Sequence, residues 1–289
     1  MTSTRLLTPE EFPPQCAELP QKPKQLSMRG AIPDWEAPML AVVGSRRYTS
    51  YGKQACEKII GELAGSGIVI VSGLALGIDA IAHEAAMKAG LTTIAFPGSG
   101  LAENVLYPSV NRHLAKRIVE HGGALISEYP DTMRSMQYMF PARNRLMAGI
   151  ARGVLVIEAE EKSGTRITAR LATEYNKDVF AVPGSIFSIT AGGPNALLKQ
   201  GAIPITCGND ILTHWGLASK EVDEARQASL FDDCSPEERC VLDALREPLS
   251  KDDLTACTAL PIHELNVTLS VLEIRGLIAE RLGKVERRV

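Results

Sequence analysis

The chain has 289 residues, 22% of them charged, and a formal net charge of −3 at pH 7, which are the proportions of a globular protein in water. This length allows one large domain and one small one. The net charge gives no argument for nucleic acid, so any anion site must be local. The N-terminus lacks the apolar stretch of a signal peptide, no apolar run has the length of a membrane span, and the six cysteines form no CxxC or metal-like pattern. We therefore expect a cytoplasmic protein that has no membrane partner, no metal and ordinary core thiols.

Residues 1–38 are rich in proline and lack hydrophobic periodicity, and we interpret them as an extended lead-in that packs on the main domain. Between residues 39 and 216, apolar runs alternate with glycine-containing turns and amphipathic helical patterns. The runs predict strands at 40–45, 68–74, 92–98, 124–129, 154–159, 179–184 and 203–206. The patterns predict helices near 53–64, 78–89, 110–120, 142–151, 165–175, 193–200 and 209–216. This alternation predicts an α/β fold over 39–216, an extended Rossmann-like, mostly parallel sheet with helices on both faces.

The character of the chain changes after residue 216. Residues 217–235 are charged and weakly periodic, which favours a linker. The remaining segment, 236–289, has three helical patterns followed by two short runs that can pair as a hairpin around Gly283. This order predicts a small C-terminal winged-helix-like domain.

A segment in the middle of the large domain carries the strongest sign of a binding site. Between residues 134 and 157 there are four arginines, at 134, 143, 145 and 152, and no acid. Arg143, Asn144 and Arg145 occupy the opening turns of a predicted helix, and the turn KSGT (162–165) follows the next strand. Strand ends and helix N-termini of open α/β sheets are where phosphorylated ligands bind, so the segment predicts a local anion site. The alternative is that the arginines only cover a helix face.

Other polar residues also follow strands. The loop Gly44-Ser45-Arg46-Arg47 matches neither the GxGxxG pattern nor a P-loop, so it indicates no standard nucleotide site. Asp79 and His83 have the i,i+4 spacing of a catalytic or metal pair. A buried capping aspartate beside a hydrogen-bonded histidine is favoured instead, because no third ligand stands at a suitable spacing.

Taken together, these motifs resemble the DNA-processing protein A (DprA/Smf) family. The matching stretches occur in family order over about 160 residues: VVGSRR (42–47), SGLALGIDAIAH (72–83), YP-x-x-N (107–111), LISEYP (125–130), FPARNRLMAGI (140–150), EAEEKSGTRITA (158–169) and VPG…GGPNALLKQGA (182–202). The resemblance implies a recombination mediator without catalytic activity or cofactor. Such proteins bind and protect single-stranded DNA, dimerise through the Rossmann domain, and load RecA onto DNA taken up in natural transformation.

The resemblance also implies the site residues. Carried over by position, the single-stranded DNA groove comprises Ser45, Arg46, Phe140, Arg143, Asn144, Arg145, Lys162, Ser163, Gly164, Thr165 and Asn195. Three departures concern the accessory parts. Residues 1–38 are too short for the N-terminal helical domain of many members, Arg166 replaces a usual apolar residue in SGTRITA, and LGKVERRV replaces the expected wing pattern.

Two other functions remain open. Related Rossmann proteins hydrolyse nucleoside monophosphates with a PGGxGTxxE loop, and the loop PGSGLAENV (97–105) has Glu103 without the GGxGT pattern. A transcription regulator acting through residues 236–289 is disfavoured, because that segment has eight Lys/Arg against ten Asp/Glu, a poor surface for a phosphate backbone.

Overall fold

The computed structural model describes residues 3–217, 234–245, 248–258, 260–275, 277–281 and 283–287. These residues fall into two compact units, one within residues 1–222 and the other within 223–289. Most of the predicted linker, 217–235, lies outside the described residues, so the linker remains a prediction.

The first unit is a single sheet with helices on both faces. Its strands are β1 (Arg5–Leu6), β2 (Ser27–Gly30), β3 (Met39–Val43), β4 (Val69–Ser72), β5 (Thr93–Ala95), β6 (Ala124–Ser127), β7 (Gly153–Val156), β8 (Asp178–Ala181) and β9 (Ile203–Pro204). Its α-helices are α1 (Ser50–Gly61), α2 (Ile78–Lys88), α3 (Arg112–Glu120), α4 (Met139–Ile150), α5 (Thr165–Glu174), α6 (Gly192–Lys199) and α7 (Gly208–Trp215). Short 3₁₀ helices lie at Pro9–Glu11, Pro14–Glu18, Ser109–Asn111 and Ile189–Ala191.

The strands lie in the order β1-β2-β6-β5-β4-β3-β7-β8-β9. Strands β3 to β9 run parallel, whereas β2 is antiparallel to β6 and β1 is antiparallel to β2. The chain enters the parallel part of the sheet at β3, adds strands outward to β6, and then returns to add β7 on the other side of β3. The predicted α/β fold class is therefore confirmed, and the order of the strands reverses between β3 and β7.

The strands are apolar throughout because both faces of the sheet are covered. In β3, Met39, Ala41 and Val43 pack with α4 and α5, whereas Leu40 and Val42 pack with α1, α2 and α7. Helices on both faces leave no polar side to a parallel strand. This is why the sequence shows continuous apolar runs without alternation.

The lead-in packs on the main domain, as predicted, and it also contributes strands that were not predicted. Leu7, Cys16, Leu19 and Leu26 are buried in the same core as α4 and β3. Strand β2 extends the sheet beyond β6, with Met28 opposite Ile126. A four-residue edge strand of sequence SMRG is too short to show an alternating pattern.

The second unit has its own core. Its helices are α8 (Pro236–Ala244), α9 (Lys251–Thr258) and α10 (Ile262–Ile274), and its strands are β10 (Leu249–Ser250), β11 (Ile278–Arg281) and β12 (Lys284–Arg287). The strands form a three-stranded antiparallel sheet in the order β10-β12-β11. This is the predicted winged-helix arrangement with its hairpin around Gly283. No helix among the residues described in either unit is long and apolar enough to cross a membrane.

Candidate functional site

A cavity of about 380 Å³ lies at the carboxyl ends of β3 and β7, where the strand order reverses. Open α/β sheets bind ligands at this switch point, because the loops after the two strands diverge there and leave a crevice. We call it cavity 1. It is lined by Val43, Gly44, Ser45, Arg46, Arg47, Ala75, Asp79, Phe140, Pro141, Arg143, Asn144, Met147, Glu160, Ser163, Gly164, Thr165, Ile167 and Thr168.

The loop after β3 is held tightly against the start of α2. Ser45 accepts a hydrogen bond at its carbonyl from the Ile78 amide, at 3.2 Å. Gly77 has a φ of +84°, and a Cβ there would lie 2.2 Å from that same carbonyl oxygen. The Ser45 hydroxyl accepts from the Arg47 amide at 3.0 Å and so closes the turn. The loop is thus pre-shaped, with Arg46 and Arg47 exposed on its outer side.

An aromatic side chain lies beside these arginines. Helix α4 begins at Met139, three residues earlier than the predicted start near 142, so Phe140 is helical. Its ring packs over Gly98, where an added Cβ would lie 2.6 Å from the ring. The Arg46 guanidinium lies 5.7 Å from the centre of the Phe140 ring, and Tyr107 packs at a centroid distance of 5.7 Å. Phe140 is therefore held in place and only partly covered.

Arg143 does not have the exposed position that its place in the motif suggested. Its side chain is only 7% exposed. Its Nη1 donates to the carbonyl oxygens of Gly73 and Phe96, and its Nε donates to the Asn144 side chain at 3.1 Å. Asp79, also buried, accepts from the amide of Gly73 at 3.1 Å. Arg143 therefore joins the loops after β4 and β5 at the floor of cavity 1.

The charges of this pair depend on each other. Burial lowers the pKa of Arg143 to about 10, which still leaves it charged at neutral pH. Burial raises the pKa of Asp79, and the neighbouring Arg143 opposes that rise. The arginine and the aspartate each compensate a charge that would otherwise be buried alone.

The prediction that the arginines between 134 and 157 form one positive surface is therefore wrong for Arg145 and Arg152. Arg145 forms a partly buried ion pair with Glu128 and does not line cavity 1. Burial raises the pKa of Glu128, and Arg145 opposes this shift. Arg152 precedes β7, at the opposite end of the sheet, where it stacks on Trp215 at 5.0 Å. The exposed cations of cavity 1 are thus Arg46 and Arg47.

The KSGT turn forms the other wall. Ser163, Gly164 and Thr165 line cavity 1, and Thr165 donates from its hydroxyl to the Gly44 carbonyl at 3.2 Å. Helix α5 begins at Thr165, and the positive end of a helix dipole favours an anion. Lys162 is directed elsewhere, into a neighbouring cavity that also contains Arg166 and Arg170.

Asn195 is also outside cavity 1. Its side chain binds the backbone of Gly184 on both sides, accepting from the amide at 3.3 Å and donating to the carbonyl at 3.0 Å. These bonds make Asn195 a support of the loop after β8. The structure thus brings together Ser45, Arg46, Phe140, Arg143, Asn144, Ser163, Gly164 and Thr165, but not Arg145, Lys162 or Asn195.

The pair Asp79 and His83 is buried, as the sequence favoured, but Asp79 does not cap α2, because its carboxylate accepts from the amides of Gly73 and Ala75 in the loop before the helix. His83 is fully buried, and its Nδ1 lies 2.7 Å from the Thr93 hydroxyl. Within the described ranges, no group of three or more His, Cys, Asp or Glu side chains is arranged to hold a metal ion. Glu103, the carboxylate of the hydrolase alternative, is exposed and does not line cavity 1.

His83 leads to a prediction about pH. Burial, with a smaller effect of Arg143, lowers its pKa from 6.5 to about 3. Between these values the unfolded chain binds a proton that the folded chain does not. We therefore expect the stability due to neutral His83 to be complete above pH 6.5 and to fall by about 1.4 kcal/mol per pH unit as the pH decreases towards 3.

Urea unfolding at about pH 7.5 and about pH 5 tests this expectation. Wild type should lose roughly 2 kcal/mol more than His83→Asn over this interval, because asparagine does not titrate. Equal losses in the two proteins would show that His83 is protonated in the folded state.

Two site residues were missed from the sequence. The motifs assign neither Arg47, which lines cavity 1, nor Tyr107, which packs on Phe140. Adjacent arginines directly after the first strand of the parallel sheet were a signal for Arg47. Tyr107 had none, because its packing on Phe140 joins segments that are distant in the chain.

Comparisons with known proteins cover both units of the chain. A family model described as DNA recombination-mediator protein A matches residues 4–216, and one described as the DprA winged helix domain matches residues 224–284. The chain is 37% identical over 278 residues to protein Smf of Escherichia coli, covering 93% of this chain and 73% of that protein.

Two solved structures are also similar. The X-ray structure of DNA processing protein A from Streptococcus pneumoniae has 39% identity and a TM-score of 0.68, covering 73% of this chain and 74% of that one. The Helicobacter pylori structure, which describes the single-stranded DNA binding mode of that protein, has 32% identity and a TM-score of 0.67, covering 74% and 96%.

Proposed function

The chain belongs to the DNA recombination-mediator protein A family, and on this premise we propose that it binds single-stranded DNA at cavity 1. As a mediator it protects incoming DNA and loads RecA during natural transformation, acting as a homodimer without catalysing a reaction. Membership of the family, which the sequence motifs indicated, supports the mediator role. The single-stranded DNA described for the H. pylori relative supports the choice of ligand.

The observation that carries the proposal is the composition of cavity 1. Arg46 and Arg47 are exposed beside the N-terminus of α5, which together suit a phosphate. The partly covered Phe140 ring lies next to them and suits an unstacked base. Cations and an aromatic ring in one recess match a nucleotide whose base is free to stack.

The same geometry disfavours a duplex. In a duplex the bases are already stacked on one another, so their faces cannot reach Phe140 without unpairing. Helix α10 of the second unit does not provide a surface for duplex DNA, because its sequence, IHELNVTLSVLEI, contains no lysine or arginine. A recognition helix in the major groove depends on such side chains for phosphate and guanine contacts.

Polarisation titration with labelled single- and double-stranded oligonucleotides, across a salt series, tests the proposed ligand. We expect tighter binding to the single strand at every salt concentration, with little dependence on sequence, because stacking and phosphate contacts do not read base edges. Equal or tighter binding to the duplex would contradict the proposal.

The mediator role needs a separate test. RecA-catalysed strand exchange on DNA already coated with single-strand-binding protein should start faster when this protein is added. Arg46→Ala, which removes one cation of cavity 1, should reduce this stimulation. Single-strand binding without any effect on RecA would restrict the function to DNA binding.

A further inference from the structure

A second cavity, of about 480 Å³, lies on the other side of the loop that joins β3 to α1. We call it cavity 2. Its walls are mostly apolar, with hydroxyl groups at intervals, and they consist of Thr49, Tyr51, Ile157, Glu158, Val182, Pro183, Gly184, Ser185, Ser188 and Ala191. The function proposed above makes no use of it.

An exposed apolar loop adjoins this cavity. Ile186 (85% exposed) and Phe187 (92%) lie between Ser185 and Ser188, which line cavity 2, and Ile189 (77%) follows them. Three large apolar side chains exposed together in one loop are uncommon on a protein surface and are typical of a binding site. No charged residue occurs between Pro183 and Gly192. The loop therefore suits an uncharged, flat, apolar ligand.

The floor of cavity 2 is rigid. Glu158 is buried and accepts hydrogen bonds from the Thr49 amide at 2.8 Å, the Thr49 hydroxyl at 2.6 Å and the Thr190 hydroxyl at 2.9 Å. A Cβ added to Gly52 would lie 2.2 Å from the remaining side of this carboxylate. These hydrogen bonds hold the loops that contain Thr49 and Thr190 together. Because its oxygens are occupied or covered, the Glu158 carboxylate is not available to a cation.

Tyr51 forms the edge of cavity 2. Its hydroxyl donates to the Pro183 carbonyl at 2.6 Å, which holds the side chain, while the residue remains 50% exposed. An aromatic side chain restrained at its tip can stack a ligand at little cost in conformational entropy. Tyr51 and Phe187 thus provide aromatic surface on the two sides of the cavity.

The two cavities are continuous along the chain. Residues 44–47 line cavity 1, Thr49 and Tyr51 line cavity 2, and the half-exposed Tyr48 lies between them. The connecting sequence, RRYTSYGK (46–53), has three basic residues and no acid. Cations interleaved with aromatic residues are the surface on which a single strand lies, since phosphates and bases alternate along it.

We propose that cavity 2 takes a second unstacked base of the same single strand that cavity 1 holds, stacked against Tyr51 and Phe187. This inference rests on the proposed function and extends its footprint. Arg47 binds the phosphate between the two bases, and the Ser185 and Ser188 hydroxyls meet the edge of the second base without selecting one. A strand that occupies both cavities crosses the β3–α1 loop.

A length series of oligothymidylates, from four to twenty nucleotides, tests this. We expect the affinity of wild type to increase at the length that first reaches cavity 2. Tyr51→Ala and Phe187→Ala should each remove that increase, a loss of roughly tenfold for the longer strands, and leave the shortest strand unaffected. Tyr51→Phe should retain most of the increase because the ring remains. Ile32→Ala is the matched control. Ile32 is an exposed apolar residue just beyond the end of β2. The end of β2 pairs with the start of β6, so Ile32 lies at the edge of the sheet opposite to cavity 2.

Photocrosslinking from a strand with one 5-iodouracil at each position in turn gives a second readout. Crosslinks to Tyr51 or Phe187 from a position other than the one that crosslinks in cavity 1 would support the proposal. Crosslinks confined to cavity 1, or equal losses of affinity at all lengths, would overturn it. These outcomes differ from failure of the proposed function, in which wild type binds no single strand of any length.

Discussion

Replacing Arg143 with alanine is expected to lower the free energy of unfolding by about 3–5 kcal/mol, the cost of removing one of two buried charges that compensate each other. The substitution leaves Asp79 buried without its compensating charge, and it leaves the carbonyl oxygens of Gly73 and Phe96 without their donor. Urea unfolding followed by tryptophan fluorescence measures the change, since Trp35 and Trp215 both lie in the first unit.

Two variants make this expectation specific. Arg143→Lys keeps the charge but loses the planar fork, so its stability should be intermediate. Arg46→Ala, which removes an exposed arginine from the same cavity, should change the stability little. If Arg143→Ala kept wild-type stability and lost DNA affinity, the residue would be a direct phosphate ligand.

Replacing Arg46 with alanine should change the stability little but cause a large loss of affinity for single-stranded DNA. A charged hydrogen bond to phosphate and a cation above the Phe140 ring are removed together, and we expect a loss of about tenfold or more. The negative slope of log K against log salt should become smaller in magnitude by about 0.7, the value for one phosphate of a single strand. Arg46→Ala/Arg47→Ala should lower it by about twice as much.

Arg117→Ala is the matched control for the loss of positive charge. Arg117 lies on α3, pairs with Glu84 at 3.5 Å and does not line cavity 1. Its removal should leave the salt slope unchanged. An equal change of slope in Arg117→Ala and Arg46→Ala would mean that only the net charge of the protein governs binding, and cavity 1 would lose its role.

Much of the fold follows from local pattern. Continuous apolar runs such as VLVIEA (154–159), each followed by a glycine-containing turn and a helical pattern, permit few arrangements other than a covered parallel sheet. The same reasoning predicts that loops after strands share one edge, and cavity 1 lies there. Strand β2 was not predicted in this way. It is short, its sequence shows little hydrophobic pattern, and it forms by pairing with β6.

The functions of the individual arginines were decided by the tertiary structure. Along the chain, Arg143 and Arg145 are in one stretch without an acid, and nothing local distinguishes them from Arg46. Folding places Asp79, in the first turn of α2, and Glu128, in the loop after β6, near them. A charge in a low-dielectric interior requires a nearby counter-charge, whereas an exposed charge is stabilised by water. Burial and partners of this kind depend on which loops meet at the sheet edge. The sequence by itself therefore determined where the candidate site lies, and the tertiary structure decided which of its cations are exposed.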